Sequence, residues 1–186
     1  GDGGAIYFTG DTLAVNGILG PTTFADNEAQ TDGGALYVNA AVAFAITGPV
    51  NFNANAAGED GGAIALSTGA IAPVTIVLAN FSLNKANGDG SGGTYGGGAI
   101  HNIGGDADQA LILIQGSSFV LNEAPTGNGG AIFNQGILSW PDVINGPDDL
   151  HLGGVFNCFF FQNKASGSDG PDDGHQYDAM CCAPLA

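Results

Sequence analysis

The chain reads as an all-β protein, a parallel β-helix of about five coils, each of roughly 30 residues and three short strands. Three observations predict this. The tetrapeptide Gly-Gly-Ala-Ile/Leu begins at Gly3, Gly33, Gly61, Gly97 and Gly129, at intervals of 30, 28, 36 and 32 residues. A second motif, Phe-x-x-Asn-x-Ala, recurs with it, at Phe24/Asn27, Phe52/Asn55, Phe81/Asn84, Phe119/Asn122 and Phe160/Asn163. Between the motifs lie apolar segments of strand length, punctuated by Asn16-Gly17, Gly20-Pro21 and Gly48-Pro49, with no stretch long enough for a helix.

Taken in order along one unit, Ala5–Phe8, Thr12–Val15 and Thr22–Phe24 are the three strands. If each strand pairs with its equivalent in the next coil, neighbouring coils lie about 4.8 Å apart. Repeated residues then become columns. Phe24, Phe52, Phe81, Phe119 and Phe160 form one buried aromatic stack. Asn27, Asn55, Asn84, Asn122 and Asn163 form an amide ladder that caps backbone at a corner. The glycine pairs Gly3-Gly4, Gly33-Gly34, Gly61-Gly62, Gly97-Gly98 and Gly129-Gly130 mark the next corner, where a positive φ or a close backbone approach is required. The polar turns before them hold Asp2, Asp32 and Asp60. A row of carboxylates there is read as solvent-screened. On this scheme residues 1–165 are the repeat domain and 166–186 an irregular cap or tail.

Charge narrows the function. Among 186 residues there are 18 acids against two cations, Lys85 and Lys164, for a net charge of −16. Nucleic acid and anionic lipid demand a cationic face that this chain does not possess. No apolar run approaches the length of a membrane span. With 44% hydrophobic residues the chain is too apolar for an acidic disordered tail, and 33 glycines without a collagen period must serve turns.

Repeated Gly-Gly-Ala-Ile/Leu with Phe-x-x-Asn, from Gly1 to Ala165, resembles the paired repeat of the chlamydial polymorphic outer-membrane proteins. The resemblance implies a right-handed parallel β-helix displayed outside the cell, acting in adhesion or as a structural stalk. Residues 166–186 hold neither motif.

Departures from the repeat are where a solenoid carries recognition. Phe-to-Phe spacing runs 28, 29, 38 and 41. The last interval includes an excursion in which Trp140, Asp142, Asp148, Asp149 and His151 form a candidate ligand loop, the indole stacking on a sugar while acids and imidazole bind polar groups or a cation. In the tail, Asp169, Asp172 and Asp173 are oxygen ligands spaced by glycine, a candidate Ca2+ loop. Cys158 is expected to pair with Cys181 or Cys182, drawing the tail over outward-pointing Phe159 and Phe161 and favouring an oxidising compartment. Because Gly1 opens inside a corner motif, the N-terminal face is expected to continue into, or pack on, another chain.

Enzymatic motifs are poorly represented. There is no Arg to act as the base of a pectin-type lyase, no metal-ligand spacing of His or Cys, and no nucleophile elbow. The three histidines, His101, His151 and His175, read as surface residues, as does Asn102. Threonines fall at different repeat positions, unlike those of a flat ice-binding face. The expectation is a non-enzymatic structural or adhesive module of a secreted or cell-surface protein, binding a protein or glycan surface. The alternatives are a carbohydrate-active β-helix enzyme drawing on Asp142, Asp148 and Asp149, and an accessory scaffold subunit of a larger complex.

Overall fold

The structure is a computed structural model that describes residues 1–9, 17–39, 44–67, 74–88, 96–102, 112–134, 154–165 and 176–177. Every regular element in these residues is a β-strand, so no described helix is long and apolar enough to cross a membrane. The strands form three parallel sheets of stacked repeats, the architecture of a parallel β-solenoid. The first sheet contains Ile6–Thr9, Leu36–Asn39, Ile64–Leu66, Ile100–Asn102 and Ile132–Asn134. The second contains Gly17–Leu19 and Thr22–Ala25, then Phe44–Asn53, Val74–Ser82, Ile112–Gln115 with Ser118–Val120, and Gly154–Phe156 with Phe159–Phe161. A third, of two-residue strands, runs through Glu28–Ala29, Ala56–Ala57, Lys85–Ala86, Glu123–Ala124 and Lys164–Ala165.

Two features differ from the expected strand pattern. The third sheet falls on the end of the Phe-x-x-Asn-x-Ala motif, where two paired residues are too few to show a period of two. Gly48-Pro49 interrupts nothing: Phe44–Asn53 is one strand that bends there, with a register shift between Thr47 and Val50. The expected strand Thr12–Val15 lies outside the described residues.

Register explains why each motif recurs. Ile6, Leu36, Ile64, Ile100 and Ile132 pair in one column, and the last four are fully buried. The five phenylalanines stack with centroids 4.8–5.0 Å apart and planes within 8° of parallel. Burial of each inner ring contributes about 2–3 kcal/mol. At the following corner the residue before each ladder Asn adopts a left-handed conformation, at Asp26, Ala54, Leu83, Leu121 and Gln162 (φ 52–58°). That turn aims the Asn side chain along the stack. The Oδ1 atoms of Asn55, Asn84, Asn122 and Asn163 each accept two bonds from the preceding Asn, one from its backbone N–H at 3.0–3.1 Å and one from its Nδ2 at 2.8–2.9 Å. Their Nδ2 groups in turn donate to the Phe carbonyl of the preceding repeat at 3.0–3.1 Å.

The glycine pairs divide the work at their corner. The first glycine holds φ between 61° and 69°, and a Cβ on it would lie 2.1–2.3 Å from the carbonyl oxygen three residues on. A Cβ on Gly4, Gly34, Gly62 or Gly98 would lie 2.1–2.2 Å from the carbonyl of the next repeat's second glycine, so backbone touches backbone there.

The first sheet ends differently: Gln176–Tyr177 pairs antiparallel with Ile132–Phe133. Part of the tail therefore returns to the sheet edge. Asn102 corrects an expectation. It is buried rather than exposed, because strand alternation places it on the same side as Ile100, in register with Asn134, whose Oδ1 accepts from its Nδ2 at 2.5 Å.

Two outcomes follow for stability. Asn84→Leu removes four ladder hydrogen bonds and strands buried groups on both sides, so it should destabilise by about 3–5 kcal/mol, whereas Asn80→Ala on the exposed face should change stability by less than about 0.5 kcal/mol. Thermal melts of the two variants check this. Gly62→Ala, which drives a methyl into the Lys85 and Gly98 backbones, should prevent cooperative folding, while Gly20→Ala, with nothing within 4 Å of its Cβ, should lose about 1 kcal/mol from its φ of +86° alone. Circular dichroism and denaturant titration separate these cases.

Candidate functional site

Among the described residues, two places on the solenoid depart from the repeated columns. On the outward side of the first sheet, one column runs Tyr7, Tyr37, Ala65, His101, Phe133. Tyr7 and Tyr37 are stacked at 5.3 Å with planes 3° apart; His101 and Phe133 are 5.1 Å apart and tilted by 39°. His101 is 1% exposed, which corrects the surface assignment made from its isolation in the sequence. Its position is outward by alternation, yet it is covered. Its Nδ1 lies 3.3 Å from Asp60 Oδ2. Burial pushes the imidazole down to about 3, so the ring is neutral and Nδ1–H donates to the carboxylate. Among the described residues, His101 Nε2 is the buried side-chain nitrogen or oxygen that has no hydrogen-bond partner.

Asp60 belongs to the turn before the glycine pair, and the turns are not simply a solvated acidic row. Asp32 Oδ1 accepts from the Asp60 N–H at 3.1 Å, and Asp60 Oδ1 accepts from the Gly96 N–H at 2.8 Å. Thr31 Oγ1 hydrogen-bonds Asp2 Oδ1. The carboxylates thus cap the backbone of the next repeat, and Asp60 is only 2% exposed. Desolvation raises Asp32 to about 6, with Glu59 and Asp2 adding repulsion, partly offset by the bond from the Asp60 N–H. Tyr37 is raised above its ordinary value, mainly by desolvation.

The second place is an apolar strip. Through the earlier repeats the outward side of the second sheet carries a polar ladder: Asn80 Nδ2 donates to Asn51 Oδ1 at 3.0 Å, Ser82 Oγ to Asn53 Oδ1 at 2.8 Å, and Ser118 Oγ to Asn80 Oδ1 at 2.7 Å. The ladder gives way to Phe159 and Phe161, 57% and 48% exposed, whose rings lie 6.1 Å apart. Leu83 and Leu121, at left-handed corners beside this face, are 53% and 43% exposed. Lys85 and Lys164 follow on the third sheet on either side of Glu123, with Lys164 Nζ 3.6 Å from Glu123 Oε1.

Phe159 and Phe161 point outward as strand alternation requires. Cys158 does not share their side. It is buried in the core with its Sγ 3.7 Å from the Ile114 carbonyl, so a bridge from it would reach across the end of the stack rather than over the two rings. Its expected partners Cys181 and Cys182 lie outside the described residues. So do the candidate ligand loop of Trp140, Asp142, Asp148, Asp149 and His151, and the candidate Ca2+ ligands Asp169, Asp172 and Asp173. Among the described residues, no three His, Cys, Asp or Glu side chains gather as metal ligands.

The segment from Pro21 to Asn39 spans one complete junction: ladder Phe24, left-handed Asp26, ladder Asn27, capping Asp32, the glycine pair and the next strand. Residues 21–39 match the family model of the Chlamydia polymorphic membrane protein repeat. Over those residues the chain is similar to that repeat. Its two motifs are the ones that the register turns into columns, and the matched segment is the corner at which all three sheets meet. No curated protein and no solved structure matches the chain.

The capping acids make a pH-dependent prediction. Because the Asp32 carboxyl holds its proton more tightly when folded, its contribution favours folding below pH 3.8 and is lost as pH rises through about 6. Asp32→Asn keeps the acceptor for the Asp60 N–H, as Asn128 at the equivalent turn position suggests. It should stabilise the protein by about 1 kcal/mol above pH 6, once solvent screening is allowed for, and be neutral below pH 4. Melting temperatures across pH 3–8, with an expected gain of about 2–4 °C at pH 7.5, check this.

Proposed function

We propose that the chain is a non-enzymatic structural or adhesive module of a secreted or cell-surface protein, built as a right-handed parallel β-helix of about five coils. The observation that carries the reading is the polymorphic membrane protein repeat at residues 21–39, in a chain whose Phe and Asn columns run through every repeat. The family description assigns that repeat to membrane proteins. A right-handed path accords with the general preference of parallel crossover connections. The side chains that recur in all repeats are occupied in holding neighbouring coils together, which suits a scaffold whose task is to hold a surface in place.

The adhesive half of the proposal rests on the strip of Leu83, Leu121, Phe159 and Phe161. Exposed apolar groups on a rigid sheet lose little conformational freedom when they dock, so they favour association with another protein. The test is retention of the full chain on immobilised extracellular-matrix proteins and on a glycan array. Wild-type protein should be retained on protein surfaces. The combined variant Leu121→Asn, Phe159→Ser, Phe161→Ser should lose at least about tenfold in retention while melting within a few degrees of wild type. Undiminished retention by a folded variant would remove the strip as the contact surface. Retention of neither protein would leave the structural role alone.

A further inference from the structure

The outermost repeats of the stack expose complementary halves of the contacts that join the inner ones. Among the described residues, Ile6–Thr9, Thr22–Ala25 and Glu28–Ala29 have a strand neighbour on one side only, as do Phe159–Phe161 and Lys164–Ala165 at the opposite end. Their core positions are correspondingly open. Ile6 is 38% exposed while Leu36, Ile64, Ile100 and Ile132 of its column are buried, and Phe24 and Phe160 are half-buried while the three rings between them are sealed. Among the described residues nothing donates to Asn27 Oδ1, and nothing accepts from the Asn163 backbone N–H. Every inner step of the ladder joins those same two groups.

We propose that a second copy of this chain docks end to end, the repeat that holds its Ile6, Phe24, Asn27 and Glu28 seated on the repeat that holds Phe160, Asn163 and Lys164. This goes beyond the scaffold role, because it makes the scaffold self-assembling. Asn27 of the second copy accepts from the Asn163 N–H and Nδ2 and donates to the Phe160 carbonyl, as Asn55 does with Asn27 and Phe24. Phe24 of that copy covers the open face of Phe160. Charge selects the same partner. Along the outward column of the third sheet stand Glu28, Ala56, Lys85, Glu123 and Lys164, and Glu28 of the second copy falls next to Lys164, extending the alternation. Joining like ends opposes Glu28 to Glu28 or Lys164 to Lys164, which is destabilising. On the first sheet the place beside Ile132–Phe133 is held by only two residues, Gln176–Tyr177. Ile6–Thr9 of the second copy, a four-residue strand that pairs in parallel and sets Ile6 on Ile132, displaces them. The contact is heterologous, so each added copy leaves an open repeat at either end and the row does not close at a dimer.

Sedimentation equilibrium of the full chain between about 10 μM and 1 mM tests this. The weight-average mass should climb with concentration past that of a dimer. Ile6→Lys puts a charge on the open strand edge and should weaken association at least about tenfold while melting within a few degrees of wild type. Glu28→Lys and Lys164→Glu, both at exposed positions, should each associate about threefold more weakly alone, because the junction becomes a like-charge pair, yet recover when mixed in equal amounts. Mixing restores an attractive pair at every junction between unlike copies. A wild-type chain that is monomeric at the highest concentration, or whose mass levels off at a dimer, overturns the proposal. So does a folded Ile6→Lys variant that associates as well as wild type, the result expected if the exposed leucines and phenylalanines make the contact instead. A mixture of the two charge variants that associates no better than either alone overturns it as well.

Discussion

The spacing of about 4.8 Å between paired strands governs this protein, because in a parallel stack it applies to corners and side chains as well as to strands. Whatever stands at one repeat position must tolerate a copy of itself one strand-width away. A phenylalanine ring does, as the parallel planes of Phe24, Phe52, Phe81, Phe119 and Phe160 show. A carboxamide does too, since it carries a donor and an acceptor and can bond to its own kind. A carboxylate does so only when backbone N–H groups intervene, as at Asp32 and Asp60. At the second corner glycine, no side chain fits at all.

This constraint explains how much could be read before the structure was known. Phe, Asn and Gly-Gly each answer the self-stacking requirement in only one or two ways, so they recur as letters and are visible in the sequence. The left-handed corner before the Asn is equally regular in conformation but is filled by Asp, Ala, Leu, Leu and Gln. Its side chains point to solvent and nothing restricts them, so the corner leaves no trace as a motif. The third sheet is hidden for a related reason: two residues per strand give no alternation to detect.

The candidate sites were less legible because they are exceptions within columns, and exceptions become visible only once the columns are aligned in space. Asn102 looked like an ordinary polar residue until its register with Leu66 and Asn134 put it indoors. His101 looked solitary because its partner, Asp60, is 41 residues away in the chain and two glycine-pair corners contribute to holding it. One sign was present: Asp precedes the glycine pair three times, and His101 occupies a slot that is Tyr, Tyr, Ala or Phe elsewhere. Chain distance conceals such a pair, whereas the coil-to-coil register places it side by side.

The amide column also has a direction. Each Oδ1 faces the preceding repeat and each amide donates onward to the next, from Asn27 through Asn163. Aligned amides polarise one another, so the bonds strengthen cooperatively along the row. The consequence is that the stack is a polar rod. Among the described residues the Asn27 carbonyl oxygen stands at one end of the row and the Asn163 amide at the other, so the two ends are chemically unlike. Stacked face to face with its mirror in direction, such a rod would set oxygen against oxygen; end to end in a common direction, the column would simply run on.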